Sequence, residues 1–282
     1  MKTNAKGKPV CVVIGATSKW QAEGRNTLLA HGRPVDDSDV EIGIRWGVGG
    51  AVAQKFAQEG FFTVLTTRNE ANATRLAAAI REQGGECMIV ELDLVSQQSI
   101  ASAFAKIRQE AGDPDVLIYN AGYLEGRDLP PEQELLEYIT VEMFDTTQHI
   151  ACRGPFLVAK EVLPAMRKKG AGSFFFSNNS SSLRGKKRMT GQSLYYPRVM
   201  MRTLAQVLTE EYSEHGVHVA NIIIDGSIDS PGSNALARNK NRPDLVINPV
   251  EIANAYWYLH TQDKSVWTHE LQLTPYGSKP SY

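Results

Sequence analysis

The chain has 282 residues, with 30 Lys and Arg against 31 Asp and Glu and a net charge of −1. Charges so nearly balanced give no reason to expect nucleic acid or an anionic membrane surface, and the apolar runs are far too short to span a bilayer. Cys11, Cys87 and Cys152 are scattered without C-x-x-C spacing, which argues against a disulfide framework or a cysteine-rich zinc site and for a reducing cytoplasm.

The amino-terminal stretch MKTNAKGKPV is basic but lacks the apolar run of a signal peptide. Residues 10–14 (VCVVI) then form a β-branched apolar strand, followed at once by Gly15-Ala16-Thr17-Ser18. Gly47-Val48-Gly49-Gly50 opens a run in which Val52, Phe56 and the alanines recur at helical spacing. Further strands are predicted over 61–66, 87–92, 116–119, 172–177, 217–224 and 270–273. Helices are predicted over 72–83, 96–111, roughly 131–145 and 146–169, 194–214 and 249–262. Strands and helices alternate, and the strands are apolar runs without strict polar alternation. That pattern predicts a doubly wound parallel sheet of Rossmann type, covered by helices on both faces, in a single α/β domain of 282 residues.

Excising residues 19–46 leaves strand, G-A-T-S-G-V-G-G, helix, the shape of a dinucleotide-binding turn cut in two. Glycines there let the backbone approach a pyrophosphate, and the helix N-terminus contributes unsatisfied N–H groups and a positive dipole end. The excursion carries Trp20, Leu28, Leu29, Val40, Ile42, Ile44 and Trp46, and two readings stay open for it. It folds over the cofactor mouth or a neighbouring subunit, with Lys19, Arg25 or Arg45 reaching a phosphate, or it is a docked surface excursion. In an open sheet, ligands sit beyond the carboxyl ends of the strands. Here those ends carry Gly15, Arg68, Asp93, Asn120, Asn178 and Asp225. After the second strand the sequence Thr66-Thr67-Arg68-Asn69 has no acid until Glu70. A carboxylate at this place accepts hydrogen bonds from a ribose 2′-OH, whereas a guanidinium neutralises a 2′-phosphate, so Arg68 favours NADP(H) over NAD(H).

The loop GATS…GVGG, Asp93-Leu94, Asn120-Ala121-Gly122 and the serine-rich turn after the fifth strand together resemble the short-chain dehydrogenase/reductase family. The resemblance runs over essentially the whole chain apart from the excursion. It implies that Gly15, Thr17, Ser18, Gly47, Val48 and Gly49 line the pyrophosphate and ribose. It further implies that Asp93 and Leu94 hold the adenine, and that Asn120, Ala121 and Gly122 hold the adenosine side of the nicotinamide. A homodimer or homotetramer through the 146–169 and 194–214 helices is implied in the same way.

The family's chemistry rests on Asn, Ser, Tyr and Lys, with Tyr and Lys four apart on one helix so that the cation lowers the phenol's pKa. This chain departs from that set. Leu194 stands at the Tyr position and Arg198 at the Lys position, with Tyr195 one residue late. The Asn position falls near Ala151, and the Ser position on Asn179 or Ser180. Three readings follow. In the first, Tyr195 or Tyr196 moves into the vacated place, with Arg198 as the cation and Ser180 or Asn179 as the orienting group, giving an NADP(H)-dependent oxidoreductase for a small carbonyl or alcohol substrate. In the second, the site is a cofactor-independent Ser/Tyr/Arg lyase like the halohydrin dehalogenases, which lack the phosphate-binding glycines. In the third, the domain is a non-catalytic nucleotide-binding or scaffold protein. No His-x-x-x-His or His-Glu-x-x-His motif occurs, so the histidines are expected to be structural and no metal is expected.

Overall fold

A computed structural model describes residues 7–16, 44–122, 135–185, 197–229 and 239–282. Seven parallel strands form one sheet in the order β3-β2-β1-β4-β5-β6-β9. They are β1 (Val10–Ile14), β2 (Phe62–Thr67), β3 (Glu86–Glu91), β4 (Val116–Tyr119), β5 (Gly172–Asn179), β6 (Val217–Ile224) and β9 (Glu270–Leu273). The strand order steps one way from β1 to β2 and β3, and the other way from β4 onward. The reversal lies between β1 and β4, where Ile14 is in register with Tyr119. A crevice opens at such a reversal, beyond the carboxyl ends of the two strands.

Both faces of the sheet are buried, which is why its strands read as continuous apolar runs. Alternate side chains point to opposite faces. Val10, Val12 and Ile14 join one core with α3 (Gln97–Glu110), α5 (Gly154–Lys169) and α6 (Arg198–Tyr212). Cys11 and Val13 join the other with α1 (Gly47–Gln58), α2 (Thr74–Glu82) and α7 (Pro249–His260). β5 divides in the same way, Phe174 and Phe176 to one side and Phe175 to the other, all three fully buried. Each such ring contributes roughly 1.5–3 kcal/mol by burial. On α3, Ser96 caps the backbone N–H of Ser99, and Ile100, Ala103, Phe104 and Ile107 form the buried stripe.

The elements follow the sequence pattern closely, with differences that have local causes. The helix expected over roughly 131–145 does not occupy the described part of that stretch before Val141. Leu136–Tyr138 is a 3₁₀ turn, and α4 (Val141–Gln148) begins where the Thr140 hydroxyl takes the N–H of Met143. The helix expected over 146–169 is interrupted by a π turn at His149–Arg153, closed by the Gly154 N–H on the His149 carbonyl. Pro155 follows in the first turn of α5 and has no N–H to continue the α-helical ladder. β5 runs two residues further than expected, to Asn179, in register with Ile224. Two short strands, β7 (Ser227–Ile228) and β8 (Val246–Ile247), pair in a separate ribbon.

Candidate active site

The two halves of the interrupted turn meet in space. Gly15 has φ +83°, and a Cβ there would lie 2.8 Å from the Ala121 Cα. A Cβ on Gly49 would lie 2.4 Å from the Gly15 carbonyl oxygen and 2.8 Å from Asn120 Nδ2. Only glycine permits either approach. The Asn120 amide closes the arrangement by donating to the Gly15 carbonyl at 3.1 Å. Behind it, the N–H of Ala16 reaches the Thr66 carbonyl at 3.1 Å, and Thr66 Oγ1 donates to the Val13 carbonyl at 3.1 Å. The turn that ends β1 is thereby fixed against β2 and β4.

Gly47, with φ +64°, turns the chain into α1, whose amino end has no side-chain cap and no acid in its first turn. That end is therefore an electropositive terminus beside Gly15 and Asn120. Val48 is half-buried in the first turn of α1. Trp46, the last residue of the excursion, is buried against Gly50 and packs in the α1 core. Thr17, Ser18 and the rest of the excursion up to residue 43 lie outside the described residues, as does any contact of Lys19 or Arg25.

Around this cradle the other predicted positions divide. Arg68 is exposed just beyond β2, where Thr67 Oγ1 and Asn69 form a tight turn. Asp93 is exposed, accepts the N–H of Val95, and takes Ser99 Oγ on its own N–H. Leu94 instead points into the core beneath α5. Ala121 is half-buried and Gly122 exposed at the carboxyl end of β4.

Arg198 opens α6 and is only 9% exposed. Its Nη1 donates to the Ser177 carbonyl at 2.9 Å, and a Cβ on Gly122 would lie 3.2 Å from Nη2. The guanidinium thus bridges the carboxyl ends of β4 and β5. Burial drives the phenols of Tyr119 and Tyr256 far above the usual tyrosine range, and the Arg198 charge offsets a part of this. Neither phenol is a proton source for chemistry near neutrality. Tyr119 is committed to the Ile150 carbonyl in the π turn, and Tyr256 to Ser177 Oγ at 2.6 Å.

The backbone of Arg198 is held by a polar chain that the sequence did not disclose. Asn178 Nδ2 donates to the Arg198 carbonyl at 3.2 Å and to Asn221 Oδ1 at 3.1 Å. Asn221 Nδ2 donates to Glu270, which also takes both arms of Arg202 at 2.7 Å. Asn178 and Asn221 stand in β5 and β6, where the surrounding apolar residues give no period from which such a link could be read. Ala151, at the family's Asn position, is buried within the π turn.

Asn179 and Ser180 stand where β5 ends. Asn179 caps the 3₁₀ turn Ser180–Ser182 by accepting the N–H of Ser181 at 2.9 Å, and its carbonyl takes Ser182 Oγ. Ser180 is half-buried, one residue beyond the Asn179–Ile224 pair that closes the β5–β6 register, with Asp225 at the matching place after β6. Leu194, Tyr195 and Tyr196 lie outside the described residues, so the phenol proposed for proton transfer is not among the groups assembled here. Among the described residues no cluster of three or more His, Cys, Asp or Glu could hold a metal ion, and no helix is long and apolar enough to cross a membrane.

Comparison with known proteins bears on this arrangement. A family model described as enoyl-(acyl carrier protein) reductase matches residues 43–271. The uncharacterized oxidoreductase YxbG of Bacillus subtilis is 28% identical over 212 residues, 75% of this chain and 74% of that protein. The 2,5-dichloro-2,5-cyclohexadiene-1,4-diol dehydrogenase LinX of Sphingobium indicum is 28% identical over 186 residues, 66% of this chain and 70% of that one. Among solved structures, a short-chain dehydrogenase from Rhodopseudomonas palustris superimposes with a TM-score of 0.68 at 25% identity, covering 95% of this chain and 99% of that one. A metagenomic short-chain oxidoreductase in complex with NADP shares the fold with a TM-score of 0.68 at 22% identity, over 95% of this chain and 97% of that one.

Proposed function

This chain belongs to the short-chain dehydrogenase/reductase family and is an oxidoreductase of that type, and we propose that it uses NADP(H) in preference to NAD(H) to interconvert a small carbonyl compound and its alcohol. The observation that carries the reading is the rejoined turn, with Gly49 packed against the Gly15 carbonyl beside the uncapped end of α1. A dinucleotide fits such a cradle. Gly15, Gly47, Val48 and Gly49 would hold its diphosphate, Asn120, Ala121 and Gly122 would adjoin its nicotinamide ribose, and Arg68 would meet a 2′-phosphate. When bound, the nicotinamide supplies or accepts the hydride.

The remaining work falls to the chain's own residues. Tyr195, just before α6, moves the proton at its phenol oxygen. Arg198 provides a permanent positive charge that stabilises the phenolate without serving as a proton relay. Ser180, with Asn179 next to it, orients the substrate oxygen. The relative LinX, a diol dehydrogenase by its name, supports a hydroxyl-bearing substrate class. Phe156 on α5 and Val199, Met200 and Val207 on α6 are large and exposed, which supports a homodimer or homotetramer built on these helices. The three free cysteines support a reducing compartment.

The test is a fluorescence titration of purified protein with NADPH and NADH, followed by NADPH consumption over a carbonyl panel. Binding with turnover that Tyr195→Phe abolishes sustains the reading. Binding without turnover leaves a nucleotide-binding scaffold, and no binding leaves the cofactor-independent lyase.

A further inference from the structure

The polar chain beneath Arg198 has a direction. At its outer end Glu270, which opens β9, takes Nε and Nη2 of Arg202 at 2.7 Å each. That guanidinium holds the carboxyl below the ordinary range, and an ionised carboxylate accepts but never donates. Asn221 stands opposite Glu270 in the β6–β9 register and must face it with the amide nitrogen, as it does at 3.0 Å. Its oxygen is left for β5, where Asn178 can answer only with its own nitrogen, at 3.1 Å. An asparagine amide has two N–H donors, and the Asn178 nitrogen also reaches the Arg198 carbonyl at 3.2 Å. The Asn178 oxygen then accepts the backbone N–H of Asn179 at 3.1 Å. Asn178 and Asn221 are 3% and 1% exposed, so water does not compete for these bonds. Reversing either amide would set donor against donor or acceptor against acceptor.

We infer that Asn178 and Asn221 are positioning residues that carry the polarity of Glu270 inward and hold the first turn of α6, with Arg198, at a fixed distance from the Asn179–Ser180 turn. Their role rests on the reading that Arg198 and Ser180 serve the proposed reaction. Asn178 stands between the two. Its nitrogen grips the backbone that carries the cation, and its oxygen grips the backbone that leads into the orienting groups. One side chain thus sets the gap in which the substrate oxygen would lie. Arg202 closes the ring, since it stands four residues after Arg198 on the same helix. The start of α6 is therefore held at two points by one carboxylate, directly through Arg202 and through two amides at Arg198.

Hydrogen exchange of the side-chain amides, followed by NMR on the full chain labelled with ¹⁵N-asparagine and free of nucleotide, reads the chain directly. Both N–H groups of Asn178 are expected to exchange slowly. Asn221→Leu removes the acceptor and should speed that exchange by about 10-fold, the worth of one hydrogen bond. Asn221→Asp sets a second carboxylate against Glu270 and should disrupt the chain as well. Adding Glu270→Gln to Asn221→Asp exchanges amide and carboxylate but keeps the direction, because the glutamine donates outward of an aspartate that still accepts from Asn178. This double variant should recover slow exchange, a rescue that space-filling alone would not give. Where a single variant does not fold, recovery of folding by the double variant is the same rescue. Unchanged exchange in Asn221→Leu, or a double variant that restores neither folding nor slow exchange, overturns the inference. With any compound of the carbonyl panel that is turned over, Asn221→Leu should lower kcat by about 10-fold and leave KM for NADPH unchanged. Fast exchange with an unchanged kcat also overturns it. If no compound is turned over, the exchange rates decide alone, and a parallel NADPH titration shows separately whether the cofactor proposal fails.

Discussion

Arg198 Nη1 donates to the carbonyl of Ser177 at 2.9 Å from a guanidinium that is 9% exposed. The donor stands on α6 and the acceptor on β5, so one hydrogen bond ties the start of the helix to the floor of the crevice. A lysine in this place could reach the same carbonyl as a point charge but could not keep the fixed fork of donors. Arg198→Met is expected to lower stability by about 1–3 kcal/mol, the cost of stripping a buried carbonyl of its partner. Arg198→Lys should recover part of that loss. Thermal denaturation of both variants checks it, and a methionine variant as stable as the parent would show that the contact contributes nothing.

Gly49 makes a second prediction. A methyl group there would stand 2.4 Å from the Gly15 carbonyl oxygen, an atom of backbone that cannot swing aside. Gly49→Ala should force α1 away from the turn, at a cost of about 1–3 kcal/mol for overpacking. Nucleotide affinity should fall with it. Fluorescence titration with NADPH alongside a melting curve measures both, and full affinity in the alanine variant would mean that the cradle is not where the diphosphate binds.

The choice between nucleotides tests Arg68. Replacing it with Glu should weaken NADPH by about 10- to 100-fold, the worth of a hydrogen bond to a charged group. NADH should be unaffected or improved, since a carboxylate at the end of the second strand suits a free 2′-hydroxyl. Parallel titrations with the two nucleotides decide the matter. Equal losses for both would assign Arg68 to something other than the 2′ position.

A fourth expectation concerns acid. His260 Nδ1 is 2.9 Å from Ser173 Oγ, and its ring packs among Phe56, Phe61 and Trp257. Burial lowers its pKa to about 4; Asp115 opposes the shift and His218 adds to it. In the unfolded chain a histidine titrates near 6.5. Between those values the unfolded state binds the extra proton and the folded state does not, so stability falls as pH drops from about 6.5 toward 4. The lowered pKa of His218, set chiefly by burial, acts in the same direction. Denaturant unfolding across this window should show the slope, and His260→Gln should flatten it.

Much of the fold was legible because the strands have one job. A strand covered on both faces must be apolar throughout, and runs such as VCVVI and VHVANIII are hard to read otherwise. Caps were legible for the same local reason, as at Ser96. The π turn was not, because it arises from the missing N–H of Pro155 acting on a helix already begun. Of the residues that the family resemblance singles out, Gly15, Gly49 and Asn120 meet at the β1–β4 crevice, and Arg198 lies across the carboxyl ends of β4 and β5. The chain Asn178–Asn221–Glu270–Arg202 was not, because each member sits in a strand or helix whose period speaks only of burial. Asp225 could be seen to end a strand. That Ser281, far along the chain, closes on it could not, since nothing local to either residue encodes the meeting.

The family match begins at residue 43, past β1, which the structure places inside the sheet between β2 and β4. Twenty-seven residues separate Ala16 from Ile44 in the sequence, yet Gly15 and Gly49 are neighbours in space. Lengthening such a connection from a few residues to about thirty costs only about 2 kcal/mol in closure entropy, a sum that β1 and α1 packing can absorb. Adjacency along the chain is thus dispensable for this turn so long as adjacency in space is kept. The junction is accordingly a natural splice point, where a reporter or a second domain could be grafted between the two glycines and would sense whatever draws them apart.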